Sequence, residues 1–222
     1  MRKIFLLFGA TGNLGRSAAD YFLKKNYDFY YFFGRKELSN QNENKFEFVK
    51  INDLSVENNI EEALSHVRIE KSSAYFLYST IGGFLGGESV EETDFADWQK
   101  MMSVNLNAAF LISKHFAKLV RKTAGGSLCF TSALSSLNPE GGKIAYNLSK
   151  NALNYLVESL AFETREIKLS VNAVAPFAID SASNREWIDD VNRLVTAEQI
   201  CDAVEALFIN YKKVNGNIIR LQ

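Results

Sequence analysis

The stretch Ile4-Phe5-Leu6-Leu7-Phe8-Gly9-Ala10-Thr11-Gly12-Asn13-Leu14-Gly15 decides the fold. Five apolar residues end at a glycine turn, and helical spacing begins directly behind it. Glycine tolerates positive φ and lets a backbone come close to a phosphate. The N–H groups at the start of the following helix, and the positive end of its dipole, then attract an anion. The spacing is GxxGxxG rather than GxGxxG. A glycine turn is common; one at the first strand–helix junction of an alternating chain carries weight.

The alternation continues outward from this stretch. Short apolar runs at residues 4–8, 29–33, 46–51, 74–78, 127–131, 169–174 and 217–221 read as strands. Helical spacing covers residues 14–25, 56–66, 94–120, 145–167 and 197–209 between them. Strands that are apolar on both faces and separated by helices predict a parallel sheet covered on both sides. The expectation is an α/β, Rossmann-type doubly wound fold: seven parallel strands, helices on both faces, and a single domain over residues 1–222. The aromatic run Phe29-Tyr30-Tyr31-Phe32-Phe33 reads as a thick core strand rather than a ligand cage. The polar run from Ser39 to Asn44 reads as a surface loop.

Composition excludes several classes. The 222 residues are 47% hydrophobic and 23% charged, with a net charge of −1. That is globular composition, and it offers no basic face for nucleic acid. Cys129 and Cys201 form no CxxC pattern, and with two histidines, His66 and His115, no metal site is expected. The apolar run behind Arg2-Lys3 stops at Gly9, too early for a signal peptide. No run approaches the roughly 18 residues of a membrane span. A cytoplasmic protein is expected.

Ligands of a doubly wound sheet bind beyond the carboxyl ends of its strands. The second strand ends at Gly34-Arg35-Lys36, with Arg35 20 residues past Gly15. An acidic residue there binds the ribose 2′-OH of NAD, whereas arginine accommodates the 2′-phosphate of NADP. Arg35 therefore predicts NADP(H) as the preferred cofactor, with NAD(H) as the other candidate. Asp53, behind the third strand, has two readings. Its carboxylate accepts a hydrogen bond from adenine, or it belongs with Ser55 to the start of the next helix. Ser79-Thr80-Ile81-Gly82-Gly83, behind the fourth strand, offers small residues on which a cofactor can lie flat.

Tyr146 and Lys150 are four apart on a predicted helix and share a face. An ammonium there favours the tyrosinate and pulls the phenol down from about 10, which suits a general acid or base. A second such pair, Tyr21 and Lys25, sits at the far end of the first helix and reads as surface. Ser132 closes the fifth strand, 14 positions before Tyr146, where its hydroxyl can meet a carbonyl oxygen. Asn105 lies inside a helical stretch, where asparagine is unfavourable unless it has a role.

Together these residues resemble the short-chain dehydrogenase/reductase family. The resemblance rests on the glycine loop, Val104-Asn105-Leu106, Thr131-Ser132, Tyr146-Asn147-Leu148-Ser149-Lys150 and Val171-Asn172-Ala173-Val174-Ala175-Pro176, and covers nearly the whole chain. It implies that Tyr146 protonates a carbonyl oxygen, Lys150 holds the nicotinamide ribose, Ser132 orients substrate, and Asn105 supports a relay water. It also implies a cofactor set of Gly9, Thr11, Gly12, Asn13, Leu14, Gly15, Arg35, Asp53, Leu54, Ser79, Thr80, Ile81, Gly82, Tyr146, Lys150, Pro176, Phe177 and Ile179. A homodimer or homotetramer through the helices bearing Asn105 and Tyr146 is implied as well.

The departures are informative. GxxGxxG replaces the TGxxxGxG of the main branch, Ser79-Thr80-Ile81-Gly82 replaces NNAG, and Phe177 replaces a glycine. The gap from Ser132 to Tyr146 is one residue longer than usual, so Ser135 is a second candidate serine. Gly82-Gly83-Phe84-Leu85-Gly86-Gly87 is similar to the dihydropteridine-reductase-like branch, which carries an acidic residue where Arg35 stands. The expected activity is NADP(H)-dependent reduction of a small carbonyl or quinonoid substrate, with an apolar wall from Phe84, Leu85, Phe177 and Trp187. The alternative is a non-catalytic NADP-binding sensor, against which the Tyr146/Lys150 pair argues. A serine hydrolase is disfavoured, because no GxSxG occurs.

Overall fold

A computed structural model describes residues 1–36 and 45–222. The loop expected from Ser39 to Asn44 lies outside the described residues. The strands are β1 (Lys3–Phe8), β2 (Phe29–Gly34), β3 (Phe46–Lys50), β4 (Ala74–Ser79), β5 (Gly125–Thr131), β6 (Leu169–Pro176) and β7 (Ile218–Leu221). They form one seven-stranded sheet in the order β3-β2-β1-β4-β5-β6-β7. Every pairing is parallel; Leu6 lies between Tyr31 on β2 and Leu77 on β4. The chain winds outward to β3, then crosses back past β1 to β4. The crevice at this reversal, above β1 and β4, is where such sheets bind ligands.

The helices are α1 (Asn13–Phe22), α2 (Glu57–Ser65), α3 (Phe95–Met102), α4 (Ala108–Val120), α5 (Ile144–Glu163), α6 (Ala182–Arg185) and α7 (Ala197–Ile209). Alternate side chains of each strand feed two separate cores. Phe5 and Leu7 pack with Phe22 of α1 and Val204 and Phe208 of α7. Leu6 and Phe8 pack with Ile60 of α2, Ile112 and Phe116 of α4, and Val157 of α5. The aromatic run of β2 divides the same way, Tyr30 and Phe32 to one core and Tyr31 and Phe33 to the other. It is a core strand, as read.

Residues 94–120, read as one helix, contain a break. Ser103–Asn107 forms a π-helical turn between α3 and α4. Such turns insert one extra residue into an α-helix and are frequent at functional sites. α7 begins at a capping box, with Thr196 and Gln199 bonding each other's backbone amides. The Tyr21/Lys25 pair is a clasp between helices: Lys25 lies 4.2 Å over the Tyr21 ring, whose hydroxyl donates to Asp202 of α7. No described helix is long and apolar enough to cross a membrane.

Candidate active site

The glycine loop is shaped by close approach. Gly9 has φ +87°, and its amide and that of Ala10 both donate to the Phe33 carbonyl, tying β1 to β2. Gly15 cannot carry a side chain, because a Cβ there would lie 1.9 Å from the Gly9 carbonyl oxygen. That contact seats α1 directly behind the turn. Gly12, the residue before α1, provides no side-chain cap, which leaves the first amides of the helix, from Asn13 and Leu14 on, without a side-chain acceptor at the crevice end. Opposite the loop, Thr80 Oγ1 donates to the Phe8 carbonyl at 3.0 Å, and Ile81 packs on the core. Ser79 is buried at the end of β4.

Gly82 brings the second half of the site into the same crevice. A Cβ at Gly82 would meet Lys150 Nζ at 2.9 Å and Asn105 Oδ1 at 3.1 Å. Asn105, on the π turn and 2% exposed, grips the neighbouring residue twice. Its Oδ1 accepts from the Gly83 amide at 2.9 Å, and its Nδ2 donates to the Gly83 carbonyl at 3.1 Å and to Ser149 Oγ at 2.9 Å. Lys150 is buried, and Nζ donates to the Thr131 carbonyl at 2.8 Å. One of its three protons is so used and two remain. Tyr146 stands one turn earlier on α5. The Phe84 ring meets it edge-on at 4.9 Å, and Phe84 is itself 58% exposed.

The expected electrostatics of this pair is corrected. Burial pushes the Tyr146 phenol up to about 12, and burial also lowers Lys150 to about 8. Desolvation of the charged form is the cause in both cases, so the phenol sits above its ordinary value rather than below it.

The other sequence candidates divide. Asp53 Oδ1 accepts from the Ser55 amide and hydroxyl at 2.9 and 2.7 Å, the local-turn reading. The same bonds lower its carboxyl. Leu54 packs on the core beside it. Arg35 and Lys36 are exposed at the end of β2, where Gly34 abuts the Thr11 side chain. Pro176 ends β6. The Phe177 amide donates to the Leu221 carbonyl, and the Arg193 guanidinium stacks 3.8 Å over the Phe177 ring. Ile179 pairs with Val195 in an isolated parallel bridge. Trp187 is 85% exposed. Ser132 is buried with its hydroxyl donated to Asn154, and Ser135 donates to Asn147, whose Nδ2 is buried without a partner. Asn147, Asn151 and Asn154 were not among the sequence candidates, although their i, i+4, i+7 spacing on α5 is visible in the sequence.

Comparison with known proteins decides the family. The family model described as short chain dehydrogenase matches residues 3–192. The chain belongs to the short-chain dehydrogenase family. As a member it is an oxidoreductase. A dihydropteridine reductase of Dictyostelium discoideum is 26% identical over 229 aligned positions, covering 100% of this chain and 95% of its own. A galactitol 2-dehydrogenase of Rhizobium johnstonii is 32% identical over 145, covering 59% of this chain and 56% of its own. Among solved structures, ElxO with NADP bound superposes with a TM-score of 0.86 at 20% identity, covering 100% of this chain and 97% of that one. The site of this dehydrogenase fits a dinucleotide on its own geometry. Its α1 has no side-chain cap, which suits a pyrophosphate, and the missing side chain at Gly82 lets Lys150 Nζ and Asn105 Oδ1 come up to the strand end where the rest of a dinucleotide would lie.

Proposed function

We propose that this dehydrogenase reduces a small planar carbonyl or quinonoid compound with NADPH, using Tyr146 as the proton donor. The observation that carries the reading is the shared crevice: Lys150 Nζ and Asn105 Oδ1 both stand within 3.1 Å of where a Gly82 side chain would begin. The cofactor, when bound, supplies the hydride. The protein supplies orientation and a proton. A phenol raised to about 12 keeps its proton at neutral pH, which suits donation to a substrate being reduced. Lys150, anchored at Thr131, has donors left for the ribose hydroxyls, and Asn105 holds the loop at Gly83 that bounds the nicotinamide end. Phe84, beside Tyr146 and exposed, offers an apolar flat surface that favours a planar substrate. The full-length similarity to a dihydropteridine reductase makes a quinonoid dihydropteridine the first compound to test.

Exposed Arg35 and Lys36 support NADP(H) over NAD(H), as does the NADP held by the ElxO structure. Cys129 and Cys201 are both buried and unpaired, which supports a reducing, cytoplasmic setting. The apolar outer faces of α4 and α5 support a homo-oligomer. The deciding experiment is calorimetric titration of NADPH and NADH into wild type and Arg35→Ala. NADPH binds more tightly to wild type, and the variant loses about 10- to 100-fold of that preference, the worth of one charge-assisted contact. Failure of both nucleotides to bind overturns the reading.

A further inference from the structure

The turn behind β5 carries Ser132, Ser135 and Ser136, and each hydroxyl has one proton to donate. All three protons go to protein acceptors. Ser132 Oγ donates to Asn154 Oδ1 at 2.6 Å, Ser135 Oγ to Asn147 Oδ1 at 2.8 Å, and Ser136 Oγ to the Ala133 carbonyl at 2.6 Å. Asn151 Nδ2 donates to the Ser136 carbonyl at 3.0 Å, and Asn154 Nδ2 to Ser136 Oγ at 2.9 Å. The asparagines lie at i, i+4 and i+7, along one stripe of α5. On the strand side, the Ser132 amide donates to the Val174 carbonyl at 2.7 Å. Ser132, Ser136 and Asn154 are all more than nine-tenths buried.

We propose that Asn147, Asn151 and Asn154 form an amide ladder that sets the position of Tyr146 against β5, and that Ser132 is its inner rung rather than a substrate ligand. The same helix carries Tyr146 and Lys150, and Lys150 grips Thr131, the residue before the inner rung. α5 is thus fixed to residues 131–136 at four of its side chains. To meet a substrate oxygen, Ser132 would have to withdraw its proton from Asn154 Oδ1 and leave that buried acceptor unpaired, which is costly. Tyr146 alone then hydrogen-bonds the atom it protonates, and Asn154 is a positioning residue acting through Ser132 and Ser136. This deepens the reductase reading and rests on it for its kinetic half.

The test is Ser132→Ala and Asn154→Ala, singly and combined, followed by thermal melting and by NADPH-driven reduction of a quinonoid dihydropteridine. Each single change lowers Tm by about 4–8 °C, and the double variant loses several degrees less than the sum, because both remove one bond. Ser132→Ala lowers kcat by no more than about tenfold. Asn154→Ala lowers kcat by about tenfold with KM within about twofold, and Asn154→Asp, which keeps the acceptor for Ser132, recovers most of it. Additive melting losses overturn the ladder. A loss of about a hundredfold or more in Ser132→Ala overturns the inner-rung assignment, and a KM change matching the kcat change overturns positioning. If wild type leaves the pterin unreduced, the substrate reading fails while the melting cycle still decides the ladder.

Discussion

Lys150 is a cation buried beside a carbonyl, and its titration is measurable without any substrate. Its value of about 8 lies below the roughly 10.4 of an unfolded lysine. Between those two pH values the unfolded chain carries the proton and the folded one does not. Stability contributed by this residue therefore rises from pH 8 to pH 10, by at most on the order of 3 kcal/mol. Tyr146, raised to about 12 from an ordinary 10, acts with the opposite sign above pH 10, where the unfolded chain alone loses its proton. Urea denaturation across this range should show the rise in wild type and not in Lys150→Met. An equal rise in the variant would assign it to another group. Tyr146→Phe should lower kcat by about 10²- to 10⁴-fold while leaving NADPH affinity within about twofold, because only the transferred proton is lost; retained turnover in stopped-flow assays would remove Tyr146 from the mechanism. At this scale the sequence told residue type and order, since Lys150 and Asn105 do meet at Gly82 and Tyr146 stands one turn before Lys150 on α5. It did not tell orientation. Whether Ser132 faces a substrate or Asn154 depends on which way one hydroxyl turns, and no spacing rule encodes that. It also misjudged the Tyr146 phenol, because charge pairing is legible in a sequence and desolvation is not.

The junction of β1 and α1 shows how one element imposes geometry on the next. A Cβ on Gly15 would stand 1.9 Å from the Gly9 carbonyl oxygen and 2.7 Å from its carbon, both backbone atoms that cannot swing aside. Gly15→Ala must therefore lift α1 off the turn, moving its first amides away from the crevice. The expected cost is about 3 kcal/mol or more, together with loss of nucleotide binding by calorimetry. Gly141→Ala, where a Cβ meets nothing within 4 Å, should change stability by less than about 0.5 kcal/mol. A Gly15→Ala protein that melts like wild type would mean that the loop yields more easily than its backbone contacts imply. Element existence was legible here because period and glycine placement agree: α7 begins and ends where the apolar spacing does, behind a Thr196–Gln199 capping box. The π turn at Ser103–Asn107 was not, since the helical pattern runs straight through residues 94–120. The buried asparagine in that pattern was its one visible sign. α6 has only four residues and too little spacing to register.

Across the whole molecule, the alternation of strands and helices implies a parallel sheet covered on both faces, and the right-handed rule for crossovers leaves several strand orders open. The strand order, which puts the crevice above β1 and β4, is read from the structure. The surface left over is harder to read from sequence, because the outer stripe of a long amphipathic helix looks the same whether it meets water or another chain. In the structure, Phe110 of α4 is 50% exposed, and Tyr155 and Phe162 of α5 are 73% and 72% exposed. Phe110 also lines an apolar hollow of about 430 Å³ with Leu106, Leu111 and Leu156, so the outer faces of α4 and α5 meet in one surface. Isolated apolar side chains on a surface are ordinary, but a joined apolar face with its own hollow is what subunit contacts cover. A two-fold contact would set the same face of two chains together and let Phe110 of each approach the hollow of the other. Such a contact would also run along α5, the helix that carries Tyr146 and Lys150, so association would brace the site from outside as the proposed asparagine ladder would from within. Light scattering should then give at least twice the 25.0 kDa of one chain. Phe110→Glu combined with Tyr155→Glu should reduce it to a single-chain mass, because two buried carboxylates on each side cannot be desolvated unpaired. A wild-type mass of one chain would leave the apolar face without a partner and remove the case for association.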